Sequence, residues 1–199
     1  DALPISRRPL LHARLVWMGV LSSLMVGALG PGDLALAAEA SGLDEPDRAQ
    51  LRRVLADLAA ADAPGGTPAA RARRLLEGLH ARALRTYEER ATTLRGPLRA
   101  GRFNCVSATA LYLLAGVELG LEVKAELLPT HARARVWSPA RAAWVVVETT
   151  SPSGFDPPPE VARAMAARFT ASIDGARSLV DEEGLRVGLP GLLAAMHAN

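Results

Sequence analysis

The sequence predicts an α+β domain, and three observations carry that prediction. Apolar residues recur at helical spacing through the first half of the chain. A segment from Asn104 to Leu119 is apolar almost all round, as a buried central helix must be. From Leu121 to Thr149 the pattern changes to three short strand-like runs. Helices come first, and a small antiparallel sheet is expected to pack on the central helix.

Taken in order, residues 1–14 are short and basic, with Arg7, Arg8 and Arg14. Leu15 to Gly30 is continuously apolar, and Ala35-Leu36-Ala37 is a small-x-small triplet. Basic start, apolar run and A-x-A site in that order predict a secretory signal peptide over 1–37, cut after Ala37 or one residue later. A retained anchor and a buried helix are the alternatives, although the run is short against the ~20 residues of a membrane span. Ser6-Arg7-Arg8-Pro9-Leu10-Leu11 resembles a twin-arginine export motif, and general and twin-arginine export both stay open.

Residues 38–69 are read as an N-terminal helix and linker. The helix runs from Ser41 to Ala61, with acids and Pro46 in its first turn. Leu51, Val54, Leu55 and Leu58 supply its apolar stripe, and Ala63 to Pro68 breaks it. A second helix is expected from Pro68 to Thr92, capped by Thr67, with Leu75, Leu76, Leu79, Ala83 and Tyr87 on one face. Gly96-Pro97 ends it. The central helix closes at Gly120, a residue suited to the left-handed cap.

Leu121 to Leu128, His131 to Trp137 and Ala142 to Thr149 are the strands. A loop centred between Pro139 and Ala140 pairs residues whose numbers sum to 279. That sets His131 directly opposite Glu148. Arg133, Arg135, Trp137, Trp144 and Val146 share their face, and Ala132, Ala134, Val136, Ala143, Val145 and Val147 form the apolar one. This creates a conflict, because the apolar face suits the central helix while His131 and Glu148 lie on the other. Either a site forms at the sheet rim or the register is off by one, which would part the pair. Ser151 to Pro159 is a loop and Glu160 to Phe169 a short helix. Leu179 to Leu189 is ambiguous, and Pro190 to Asn199 reads as the start of another helix. Residues 157–199 thus form a C-terminal helical extension, and whether the chain is a fragment stays open.

Composition excludes several function classes. The 23 Lys+Arg residues face 21 acids, for a net charge of +2, and no block of like charge marks a nucleic-acid surface. One cysteine rules out an internal disulfide and a multi-cysteine zinc site. His12, His80, His131 and His197 have no metal-ligand spacing, so neither metal nor cofactor is expected. The remaining chemistry is that of the thiol. Cys105 opens the central helix, where unpaired N–H groups and the helix dipole favour a thiolate. His131 is a candidate base and Glu148 a candidate orienter of that base. Asn104 is either a second oxyanion donor or a helix cap. Trp144, with Trp137, either walls a substrate groove or packs with Arg133 and Arg135.

Asn104-Cys105-Val106-Ser107-Ala108-Thr109-Ala110-Leu111-Tyr112, Leu119-Gly120-Leu121, Pro129-Thr130-His131 and Trp144-Val145-Val146-Val147-Glu148-Thr149-Thr150 together resemble the bacterial transglutaminase-like superfamily. The resemblance covers roughly residues 70–156. It implies a papain-related core with Cys105, His131 and Glu148 as the triad. It also implies thiol-dependent acyl transfer on peptide or carboxamide bonds: peptidase, amidase or transamidase chemistry. An exported protein of this kind is expected to meet peptides, proteins or peptidoglycan stems, and to touch membrane only through an uncleaved signal segment. The same fold also serves as an inactive envelope module that binds or scaffolds, and that is the rival expectation.

Overall fold

The computed structural model describes residues 31–62, 65–128, 130–170 and 185–187. Residues 1–30, with the apolar run of the expected signal peptide, and 188–199 lie outside them. Among the described residues no helix is long and apolar enough to cross a membrane. The fold is α+β with a small antiparallel sheet, as expected.

Helix α1 (Pro31–Ala40) precedes α2 (Glu45–Ala61). The triplet Ala35–Ala37 lies within α1, and Ala37 and Ala38 are buried in the core. Asp44 caps α2 in a reciprocal box: its side chain accepts from the Asp47 N–H, and the Asp47 carboxylate accepts from the Asp44 N–H. Leu51, Val54, Leu55 and Leu58 are buried, as their spacing required.

Helix α3 (Pro68–Arg82) starts at Thr67 as expected but ends ten residues before Thr92. The N–H groups of Ala83 and Leu84 both return to the Leu79 carbonyl, and both side chains are buried. The chain then turns extended. Strand β1 (Thr86–Tyr87) runs parallel to β2 (Arg102–Phe103). Tyr87 therefore leaves the helical stripe and stands beside Phe103, two residues before the cysteine. A β-branched residue followed by an aromatic favours that extended pairing over a further helical turn. Gly96-Pro97 does not end a helix. It lies in the first turn of the short helix α4 (Arg95–Ala100), where a proline has no N–H to lose. Gly101 adopts φ 69° and sends the chain from α4 into β2.

Helix α5 (Cys105–Glu118) is the centre of the molecule. Every residue from Ser107 to Gly116 is buried. Tyr112 is enclosed and donates its hydroxyl to the Ala72 carbonyl at 3.2 Å, tying α5 to α3. One face of α5 packs on β3 (Val123–Leu128) and β4 (His131–Ser138) through Ala125, Ala134 and Val136. β5 (Ala143–Val147) pairs with β4. Beyond it come α6 (Pro159–Thr170) and β6 (Leu185–Val187), which adds to β3. The sheet is four-stranded and antiparallel, in the order β5-β4-β3-β6, one strand more than expected. The ambiguous stretch supplies that strand, since three residues are too few for a periodicity to show.

The β4–β5 register differs from the expected one by two. Trp137 faces Trp144 and Ala134 faces Val147, sums of 281 rather than 279. The loop is Pro139 to Ala142, a 3-10 turn closed by Ala142 at φ 47°, so the closing pair is Ser138 and Ala143. A slip of two keeps every side chain on its expected face.

Candidate active site

The site is made where α5, β4 and β5 begin or end at one rim of the sheet. Cys105 is the first residue of α5, and 8% of it is exposed. The Asn104 carbonyl oxygen Oδ1 accepts from the N–H of Val106 (3.0 Å) and Ser107 (3.1 Å), and Ser107 Oγ accepts from the Asn104 N–H at 3.0 Å. The Asn104 amide donates to the Glu89 carbonyl at 2.8 Å. Of its two possible roles, Asn104 is thus the helix cap. The cap leaves the Cys105 N–H out of its bonds, so that donor stays at the thiol together with the positive end of the helix dipole.

His131 is the first residue of β4, and Glu148 follows the last residue of β5. Both are buried. Continued by one residue, the β4–β5 ladder sets Glu148 opposite Arg133, with His131 its diagonal neighbour on the same face. The two side chains close that diagonal: His131 Nε2 donates to Glu148 Oε2 at 2.8 Å. The other carboxylate oxygen accepts from Thr150 twice, from the hydroxyl at 2.7 Å and the N–H at 3.3 Å. Glu148 is therefore fixed at both oxygens, and the imidazole is held at Nε2.

The electrostatics follow from these contacts. Burial alone would push the His131 pKa down. Polar interaction with the Cys105 side chain, the hydrogen bond to Glu148, and the negative charge of both outweigh it and raise the value to about 9. The imidazolium is thus the resting form at neutral pH. Cys105, His131 and Glu148 form one connected chain, and the conflict over sheet faces resolves at the rim.

Five residues join the site that the sequence pattern does not assign to it. Thr150 orients the acid. His80, from α3, donates from Nε2 to the Thr149 carbonyl at 3.1 Å, and burial lowers its pKa so that it stays neutral. Gly154 gives its carbonyl to the Glu148 N–H at 2.8 Å, and a Cβ there would stand 2.0 Å from the Glu148 carbonyl oxygen. Tyr87 packs edge-on against Phe103 at 5.9 Å. Its pKa is raised to about 12 by burial first, then by the charges of Cys105, Glu89 and Glu148. A neutral phenol stands within the field of the thiol. The pair Thr86-Tyr87 was the signal for it, a strand dipeptide hidden at the end of a helical pattern. Thr109, on α5, shares a 2.8 Å hydrogen bond with Thr149 and locks the helix to the strand end.

Trp144 lies on the far face of the sheet, edge-on to Trp137 at 5.6 Å, with the Lys124 ammonium 3.4 Å from its ring centre. It lines a cavity of about 620 Å³ that His131 also lines. Among the described residues no group of acids, histidines and cysteine could hold a metal ion. No family model, curated protein or solved structure matches the chain.

Proposed function

We propose that the protein is a thiol-dependent acyl-transfer enzyme with a transglutaminase-like core, acting on peptide or carboxamide bonds in the cell envelope. The observation that carries this reading is the connected chain from Cys105 through His131 to Glu148, all three buried at one sheet rim. A structural histidine needs no doubly anchored carboxylate behind it and no thiol in front.

The chemistry follows from the arrangement. Cys105 attacks the carbonyl carbon as the thiolate. The Cys105 N–H, at the positive end of α5, stabilises the developing oxyanion. His131 gives a proton to the leaving amine, which departs as the thioester forms. Glu148 keeps Nε2 protonated and the ring oriented, and stabilises the imidazolium. His131 then takes a proton from water, for hydrolysis, or from an amine, for transamidation. The order of basic start, apolar run and A-x-A triplet supports export before this chemistry, on peptides, proteins or peptidoglycan stems.

The test is alkylation of Cys105 by iodoacetamide across pH. A thiolate–imidazolium pair reacts well below pH 7. A rate that rises only with a midpoint near 8.5 marks an ordinary thiol and overturns the reading in favour of a binding module.

A further inference from the structure

The face of the sheet turned away from α5 carries a second feature at His131. The cavity of about 620 Å³ lies between β4–β5 and the start of α6. Trp144, Val146, Pro157 and Ala162 give it apolar walls, and His131 is part of its lining. Its polar lining is mostly cationic: Arg133, Arg135, Arg141 and Arg163, against one acid, Asp156. Asp156 is taken by Arg141 at 2.7 Å.

The arginines of β4 are held from behind. Glu126 on β3 is fully buried and receives Arg133 Nε at 2.5 Å and Arg135 Nε at 2.9 Å. Burial works against its charge, but the two guanidiniums win and keep it ionised. One carboxylate therefore anchors two positive charges. Among the described residues the Arg133 contact uses Nε, and its two terminal nitrogens form the planar fork that suits a carboxylate. Thr130, beside His131, lines the same cavity.

The geometry points to a carboxylate-binding subsite in this cavity, built on Arg133, that selects acyl donors or peptides bearing a free carboxylate next to the bond His131 serves. Its role as a substrate subsite rests on the acyl-transfer reading above. The carboxylate comes either from an acidic side chain or from a chain end. The apolar walls take the carbon skeleton, and the fork takes the charge.

Titration calorimetry on the full chain carrying Cys105→Ser separates these sources with three probes. N-acetylglutamate α-amide carries only a side-chain carboxylate, N-acetylglutamine only a terminal one, and N-acetylglutamine α-amide neither. At least one charged probe is expected to bind tenfold or more tighter than the neutral diamide, and Arg133→Gln to remove that preference. Equal binding of all three, or a preference that survives Arg133→Gln, overturns the subsite. If Arg133→Gln does not fold, Arg133→Lys takes its place. A preference cut fivefold or more upholds the fork, and an unchanged one overturns it. Iodoacetamide alkylation of the native chain is read separately. Carboxylate preference without acid-range alkylation overturns the acyl-transfer reading and leaves a carboxylate-binding cavity. Acid-range alkylation without the preference overturns the subsite alone.

Discussion

His131 and Glu148 meet diagonally across the hairpin, Nε2 to Oε2 at 2.8 Å, rather than face to face. The link depends on the carboxylate charge, since burial by itself pushes the imidazole toward neutrality. Glu148→Gln keeps the shape and removes the charge. The His131 pKa is expected to fall, and alkylation of Cys105 at pH 6 to slow by roughly 10–100-fold, one to two pKa units of lost support. An unchanged pH profile would separate the acid from the thiol's activation.

Histidine titration sets the pH range of the fold. His131 has a folded pKa of about 9, above its ordinary 6.5. Its stabilising contribution is complete below 6.5 and is lost as pH rises through 9, in total on the order of 3 kcal/mol. His80 is lowered by burial, so the folded state resists its protonation, and stability is lost as pH falls below 6.5. Urea unfolding from pH 5 to 10 is expected to give a maximum near pH 6.5. His131→Gln should remove the alkaline slope and leave the acid one. Acylation should also decline above about pH 9, where the imidazole has no proton for the leaving amine.

Gly154 is required by a close approach. A Cβ there would lie 2.0 Å from the Glu148 carbonyl oxygen and 2.8 Å from its Cβ. Gly154→Ala must move the acid or open the loop. The expected cost is roughly 2 kcal/mol or more, in the range of strained or overpacked sites. Acid-range alkylation should fall in parallel. Thermal unfolding and alkylation of one preparation read both, and a neutral result in each would mean the loop yields easily.

The parts of this molecule legible in its sequence were those with a long period or a parity. Ten consecutive buried residues in α5 announce a central helix. The faces of β4 and β5 came out right although the register was two residues out, because side-chain direction repeats every two residues. The hairpin centre lies one residue later than a tight loop predicts, because Ser138 still pairs, with Ala143, and Ala142 takes the left-handed conformation at the turn's end, which no alanine pattern signals. α3 is shorter than its apolar stripe suggests because Ala83 and Leu84 are buried in the core without being helical. Cys105, His131 and Glu148 were readable from element ends. Thr150 and Gly154 were not, since they act through backbone proximity, and β6 is too short to carry a pattern.

Asn104 separates capping from catalysis. Asn104→Ser keeps a side-chain acceptor for the N–H groups of Val106 and Ser107, whereas Asn104→Ala removes it, at a cost of about 1 kcal/mol. Turnover by the serine variant is expected within about threefold of native. A loss of 10²–10³, the size of a missing oxyanion donor, would restore Asn104 to the reaction.

Tyr87→Phe removes a phenol hydroxyl near the thiol and keeps the ring on Phe103. Folding should be unaffected within about 0.5 kcal/mol, as for exposed sites. Tyr87 is 41% exposed, so a bound acyl group can reach its ring. Loss of kcat with iodoacetamide reactivity preserved would mark a contact made to substrate. A fall in both would mark a contact made to the thiol.

Asp47, at the first turn of α2, is buried and grips Arg99 of α4 through both oxygens, at 2.6 and 2.9 Å. Asp44 adds a third contact to the same guanidinium at 2.5 Å, and Ser41 accepts from the Leu94 N–H. α4 is the element that hands the chain to Gly101, Phe103 and Cys105. The N-terminal brace and the nucleophile are therefore expected to open together, although more than fifty residues separate them in sequence. Amide hydrogens at the start of α5 should exchange with the free energy of opening α2 rather than by local fraying. A lesion at Asp47, remote from the acyl chemistry, would then be felt as lost protection at the thiol.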